Sequence, residues 1–186
     1  MEAIPVASTT IFTIGHSTRS LEQLVALLHK NHIQLLADVR TVPGSRRMPH
    51  FNRLDLERAL AAEGIRYIHL PELGGLRKPR VDSPNGGWHN SSFRGYADYM
   101  QEPAFWEALE RLIALADDSR VVIMCAEAVP WRCHRNLIAD ALSVRGLEVR
   151  HVIGDAQPRV HRLNPLATVS GGAITYPASP GRFTEG

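Results

Sequence analysis

Two cysteines in 186 residues are too few for a disulfide framework, and Cys125 and Cys133 are the whole supply. Such sparing use points to a reducing compartment. The first residues, MEAIPVASTTIFTIGHS, carry no basic stretch followed by a long apolar run, so they do not read as a secretion signal. No run approaches the length of a membrane span. The expected location is the cytoplasm, with no membrane partner. An excess of one charge is missing too: the formal net charge is +2, too small to argue for nucleic acid by itself. There is no internal repeat, and there is no C-x-x-C pair of the kind that structural zinc sites use.

The length suits one domain, and a chain of this size buries roughly two thirds of its unfolded surface without staples. Residues 10–15 (TIFTIG) read as a β-rich apolar strand. Ser20 opens a helix, with Gln23 as its capping-box partner and Leu21, Leu24, Val25, Leu27 and Leu28 on one face. Residues 34–39 form a second strand. Asn52 is expected to cap a second helix that buries Leu54, Leu56, Leu60 and Ala61 and stops at Gly64. Residues 65–70 form a third strand, and a long irregular stretch from Pro71 to Arg94 follows. Stretches of that length in compact domains are usually functional or disordered. FRGYADYM begins a short helix, and Pro103 sits in the first turn of the next. Residues 120–125 form a fourth strand, residues from about Arg132 to Arg145 a fifth helix, and residues 148–153 a fifth strand.

Strands that alternate with helices predict an α/β fold: a single domain with a mostly parallel sheet of about five strands and flanking helices. The boundaries are an N-terminal lead over residues 1–9, the α/β domain over 10–154, and a Pro/Gly-rich tail over 155–186 with little regular structure.

Such sheets bind ligands beyond the carboxyl ends of their strands. His16 and Ser17 follow the first strand, and Asp38 and Arg40 end the second. Glu72 and Gly74 follow the third, and Cys125 and Glu127 the fourth. The loop after Cys125 leads into Arg132-Cys133-His134-Arg135 at a helix start, where free N–H groups and two arginines would attract an anion or lower a thiol's pKa. Cys125 is the first candidate for that thiol, and Arg135 for gripping a phosphate. A Cys-then-Arg loop suggests phosphatases and rhodaneses, but the six residues between Cys125 and Arg132 are one too many for the phosphatase loop.

Cys125, Cys133 and His134 could instead hold a metal, or the two cysteines could form a redox pair. Asp38 and Arg40 could equally be a buried ion pair fixing the sheet edge, and Arg135 could pair with Glu127 or Asp38. Arg46, with Arg47, His50 and Arg53, forms a basic patch that could extend through Arg77, Lys78, Arg80 and Arg94 into a rim for phosphate-bearing substrates. Tyr96, Tyr99 and Trp88 could stack on a base or pack the long loop.

Together TIGHS at 13–17, DVR at 38–40 with Pro43 and Ser45, LGG at 73–75, FRGYADYM at 93–100, and CAE and CHR at 125–127 and 133–135 resemble the domain of unknown function 488 family. The similarity runs from about residue 10 to 154. It implies a cytosolic bacterial or archaeal protein and a shared site containing His16, Asp38, Arg40, Cys125, Glu127, Cys133, His134 and Arg135, with no particular activity. The leading expectation is an enzyme acting on a phosphate-bearing ligand, a nucleotide or nucleic acid. Arg40, Arg132 and Arg135 would hold the anion, Cys125 or Glu127 would react, and His16 or His134 would shuttle the proton. The alternatives are a binding module with the same basic rim and a metal- or redox-responsive protein using both cysteines.

Overall fold

The computed structural model describes residues 9–178. Residues 1–8 of the expected lead and 179–186 of the expected tail lie outside the described residues. Five strands, β1 (Thr10–Gly15), β2 (Leu35–Asp38), β3 (Arg66–His69), β4 (Val121–Cys125) and β5 (Glu148–Val152), pair in parallel in the order β3-β2-β4-β1-β5. A sixth, β6 (Arg159–Val160), adds antiparallel to the β5 edge. The helices are α1 (Leu21–Lys30), α2 (Arg53–Ala62), α3 (Ser91–Tyr99), α4 (Pro103–Leu115) and α5 (Arg135–Val144). Among the described residues no helix is long and apolar enough to cross a membrane.

Successive strand side chains point to opposite faces, and the core divides accordingly. Phe12, Ile14, Leu36, Val122 and Met124 face α1 and α2 through Leu24, Leu28, Leu56 and Leu60. Ile11, Leu35, Val121 and Ile123 face α4 and α5 through Leu109, Leu112, Leu137 and Ile138. The α1 start is the expected capping box: Gln23 N donates to Ser20 Oγ at 3.2 Å, and Ser20 N donates to Gln23 Oε1 at 2.9 Å. The α2 start differs from expectation. Asn52 stands at the cap position, but its Oδ1 accepts from Ser45 N at 2.7 Å and so ties down the preceding loop. Leu54 is 66% exposed and Ala61 is exposed as well. Only the narrow Leu56/Leu60 stripe of α2 reaches the core, because i and i+4 share a face and Leu54 lies round the helix from it.

Residues after Gly154 are more ordered than their composition suggests. Besides β6 they form a hairpin of β7 (Thr168–Ser170) and β8 (Ala173–Thr175). Its turn uses Gly171 and Gly172 at φ 56° and 80°, the left-handed pair that a two-residue hairpin loop requires. Tyr176 is wholly buried and donates its hydroxyl to Asp140 Oδ2 of α5 at 2.8 Å. Asp140 also accepts from Asn164 N at 2.9 Å and from His161 Nε2 at 2.8 Å. The anchoring carboxylate therefore lies in the domain, and the tail supplies donors to it.

The bonds to Asp140 fix a chain of tautomers. His161 Nε2 carries the proton given to Asp140, so neutral His161 accepts at Nδ1 from His151 Nε2–H, 3.0 Å away. His151 Nδ1 then accepts from the Thr13 hydroxyl at 2.7 Å. Every ring nitrogen in this relay has a hydrogen-bond partner.

Burial holds the pKa of His151 down to about 3, with repulsion from His161 and Arg135 adding to it against the pull of Cys133. Burial also holds His16 down to about 4, opposed by its bond to the Ser17 carbonyl and aided by Arg40. Both groups bind a proton near pH 6.5 in the unfolded chain but only well below that when folded. Their stabilisation is complete above about pH 6.5 and is lost as the pH falls toward the folded values. Denaturant titrations should show the unfolding free energy dropping between about pH 6.5 and 4. His151→Gln should be less stable at neutral pH yet show a shallower acid slope. An unchanged slope would remove His151 as its source.

Candidate functional site

The parallel sheet brings four strand ends to one edge. Gly15 of β1 pairs with Cys125 of β4, and Asp38 of β2 pairs with Met124. Main-chain bonds extend the ladder beyond the strands: His16 N donates to Cys125 O at 2.9 Å, Ser17 N to Ala126 O at 3.0 Å, and Val39 N to Met124 O at 3.0 Å. β4 therefore delivers Cys125 between the ends of β1 and β2. A pocket of about 370 Å³ opens there, with Arg40, Leu76, Phe93, both cysteines and His134 in its wall. That volume suits a small ligand or a single side chain.

The segment after Cys125 doubles back on itself. Pro130–Arg132 form one 3-10 turn, Cys133 is extended at φ −146° and ψ 157°, and α5 begins only at Arg135. The start expected at Arg132 is thus three residues early. The turn returns Cys133 to the strand end and sets its Sγ 2.8 Å from Cys125 Sγ. Arg135 N and Nε each donate to Cys133 Sγ at 3.3 Å, and Arg135 Nη2 donates to the Glu127 carbonyl at 2.6 Å. Glu127 N donates to Cys125 Sγ at 3.4 Å.

Arg135 is only 1% exposed and fits because position 15 has no side chain: a Cβ there would lie 2.9 Å from Arg135 Nη2. The N–H groups that open α5 meet chain atoms. Arg135 N donates to the Cys133 sulfur, and Asn136 N to the Cys133 carbonyl. The acceptors at this helix start are thus the Cys133 sulfur and main-chain carbonyls, and Arg135 is engaged through N, Nε and Nη2. Among the described residues Arg135 pairs with no carboxylate; its Glu127 contact is to the main chain.

The two thiols differ sharply. Burial pushes the Cys125 thiol well above its ordinary pKa, and its hydrogen bond to Cys133 adds to this against the pull of Arg135. Burial also opposes ionisation of Cys133. The hydrogen bonds from Cys125 and His134 and the Arg135 charge outweigh it and hold Cys133 well below the usual thiol range. The favoured state is a Cys133 thiolate that accepts from the Cys125 S–H. The lowered pKa expected for Cys125 therefore belongs to its neighbour.

His134 Nε2 lies 3.0 Å from the Val39 carbonyl, which can only accept, so Nε2 carries the proton. The other ring nitrogen, Nδ1, faces Cys133 Sγ at 3.9 Å, the position from which a proton on Nδ1 donates to the sulfur. Gly75 leaves room for this ring, since a Cβ there would approach His134 Nδ1 to 2.5 Å. The Val39 carbonyl and the role of Gly75 in making room for the ring were not read from the sequence, where Cys133 stood as a possible metal ligand or redox partner of Cys125. The CHR triplet beside a helix start was the available signal for Cys133.

The remaining candidates divide by location. Asp38 is wholly buried and saturated. It accepts from Arg40 Nε at 2.9 Å, from Arg40 Nη2 at 2.5 Å and from the Tyr67 hydroxyl at 2.8 Å. This is the ion pair fixing the sheet edge, not a free base. Arg40 reaches past it into the pocket wall, with Nη1 3.4 Å from His16 Nε2. His16 is buried behind Arg40, stacked on Phe51 at 4.3 Å with Nδ1 donating to the Ser17 carbonyl at 2.9 Å. Ser17 takes a left-handed φ of 49° in that turn.

Glu72 points away and pairs with Arg111 of α4 at 3.0 Å. Gly74 closes the turn over Pro71–Leu73. Tyr96 is wholly buried and donates its hydroxyl to Leu73 O at 2.8 Å, so it stacks on no ligand. Trp88 lies on Phe93 at 4.8 Å, and Arg77 covers the Tyr99 ring at 3.5 Å, so these aromatic rings have packing partners within the chain. Arg46 is exposed on the loop after β2. Glu127 is exposed at the pocket edge, its Oε1 accepting from Ala128 N at 3.0 Å. Arg132, also in the wall, joins no ion pair among the described residues. Cys125, Cys133 and His134 converge, but among the described residues no group of three or more His, Cys, Asp or Glu side chains is arranged to hold a metal.

Iodoacetamide at neutral pH followed by peptide mapping should label Cys133 before Cys125, with a rate midpoint well below the free-cysteine value of about 8.5. In Cys133→Ser the remaining Cys125 should react more slowly than a free cysteine. Labelling in the opposite order would reverse the assignment of the two roles.

The family model described as domain of unknown function DUF488 matches residues 20–142, more than half of the chain. The match holds β2, the loop after it, both cysteines and Arg135; the TIGHS turn at 13–17 precedes it. No curated protein and no solved structure matched the chain. With the family model covering the strand and loop that carry both sulfurs, this chain belongs to the DUF488 family.

Proposed function

We propose that this protein is a thiol–disulfide exchange enzyme in which Cys133 attacks and Cys125 resolves. The observation that carries the reading is the 2.8 Å separation of two sulfurs of unlike acidity in the wall of one pocket. A disulfide needs about 2.05 Å, so closure asks for a movement of less than an ångström. The Cys133 thiolate attacks one sulfur of a substrate disulfide, forming a mixed disulfide and expelling the other sulfur as a thiolate. Cys125 then loses its proton and attacks Cys133 Sγ. A Cys125–Cys133 disulfide forms, and the second substrate thiolate leaves. The substrate disulfide is the oxidant, and the two protein thiols are the reductant. His134, with Nδ1 3.9 Å from Cys133 Sγ, is the imidazole nearest the exchanging sulfurs and the group that relays their protons.

The reading as an enzyme or binding module for a nucleotide or nucleic acid has less geometry behind it. Asp38 holds Arg40, and Glu127 O and Cys133 Sγ hold Arg135, which among the described residues leaves Arg132 as its unpaired cation in the pocket wall, with Arg46 on the loop after β2. Equilibration with mixtures of reduced and oxidised glutathione, read by free-thiol count and mass, tests the proposal. The expected result is one intramolecular disulfide with a potential between about −270 and −120 mV, the span of dithiol oxidoreductases. Cys125→Ser should trap glutathione on Cys133, and Cys133→Ser should trap little. A folded protein whose thiols stay free in oxidised glutathione would overturn it.

A further inference from the structure

Large aliphatic side chains held in water need a reason when they gather around one opening. Val42 is 71% exposed, Leu76 80% and Trp131 54%. They sit on the loops after β2, β3 and β4, the three loops that build the pocket, and Val42 and Leu76 belong to its wall. Leu76 N donates to Thr41 Oγ1 at 3.3 Å, tying two of these loops together. Each apolar residue has an exposed cation close by in the chain: Arg46 and Arg47 after Val42, Lys78 after Leu76, and Arg132 after Trp131. None of the four joins an ion pair among the described residues. On the acidic side, Glu72 and Asp82 are paired with Arg111 and Arg80, and Glu127 stands at the pocket edge. The pocket wall thus combines Val42 and Leu76 with Arg132, and the loops that supply Val42 and Leu76 carry Arg46, Arg47 and Lys78.

Resting on the thiol-exchange reading, we infer that the substrate is an acidic polypeptide segment. An apolar side chain beside its cystine seats against Val42, Leu76 and Trp131, and its carboxylates meet Arg46, Arg47, Lys78 and Arg132. A polypeptide fits better than a single-stranded nucleic acid. Two of the three exposed anchors are aliphatic, whereas base recognition needs aromatic faces. The aromatic residues Trp88 and Tyr99 are turned onto Phe93 and Arg77. The sulfur electrophile also arrives with the polypeptide, since a polynucleotide carries none.

The test compares four disulfides in single-turnover oxidation of the reduced full-length protein. One is small and uncharged, 2-hydroxyethyl disulfide. Three are synthetic cystine peptides with leucine beside the cystine and flanks of glutamate, serine or lysine. The order expected in the second-order rate constant of oxidation is glutamate over serine over lysine, with the spread shrinking as salt is added. Reversing the exposed charges in Arg46→Glu and Lys78→Glu should cut the glutamate-to-lysine ratio roughly threefold or more for each change. Trp131→Ser should reduce the advantage of a leucine peptide over its serine counterpart. Equal rates for all three peptides, with the small disulfide still reacting, would overturn the docking inference and leave the thiol chemistry standing. Failure of the small disulfide as well would overturn the thiol reading itself. An oligonucleotide that blocks the peptide reaction more tightly than the glutamate peptide would assign the exposed cations to nucleic acid and overturn the inference.

Discussion

A guanidinium buried to 1% exposure, with no carboxylate beside it, is the constraint around which this site is built. Burying a charge without a partner is prohibitively costly. Arg135 has two kinds of partner, a main-chain carbonyl at Glu127 and the sulfur of Cys133. Burial works against its charge, but the two sulfurs more than offset this and its pKa is raised. The dependence runs both ways. The arginine needs an anion, and the anion within reach is a thiolate that would not otherwise form in so buried a place. Gly15 belongs to the same constraint, because a Cβ there would lie 1.7 Å from the Glu127 carbonyl oxygen that holds the guanidinium and 2.9 Å from Arg135 Nη2.

The sheet converts that local pairing into a site. With β4 between β1 and β2, the Cys125 carbonyl is capped by His16 N, and the backbone beyond Asp38 is held against Met124. The strand ends are therefore rigid, and the segment from Ala126 to His134 can return over them only along a narrow path. Asp38 and Arg40 stiffen the opposite wall by bonding to each other. Their polar atoms face inward because the pair satisfies itself, which is why residues that look catalytic in the sequence serve as a frame here. The tail adds a second brace: through Tyr176 and His161 it saturates Asp140 on α5, the helix that carries Arg135.

Much of this was legible from residue order. The five parallel strands, the five helices and the shared edge of His16, Asp38 and Cys125 follow from apolar runs, capping pairs and the rule for parallel sheets. What stayed hidden was direction and partnership. Both cysteines are buried; the Arg135 N–H and Nε–H pointing at Cys133, and not at Cys125, make them different. The start of α5 was misplaced because Pro130 permits either a helix or a 3-10 turn, and the extended Cys133 that separates them leaves no compositional mark. The tail was misjudged because Pro and Gly were weighed, while the carboxylate that anchors it lies some twenty residues or more away, in α5.

The charge balance around Arg135 also bears on which form of the dithiol is favoured. In the reduced state the guanidinium faces a thiolate, and α5 points its first N–H at the same sulfur. A disulfide between Cys125 and Cys133 carries no charge, so oxidation would leave Arg135 buried with only the Glu127 carbonyl to hold it. Losing the counter-ion of a buried charge is worth several kcal/mol by order of magnitude, and a shift of 30 mV corresponds to about 1.4 kcal/mol for a two-electron couple. Under the proposed exchange reaction the thiolate form is stabilised on that account, and a disulfide formed here would be oxidising rather than structural. The interaction that lowers the Cys133 pKa thus also makes its disulfide ready to be reduced. Both properties suit repeated exchange, and both come from one arginine that the fold cannot place anywhere else.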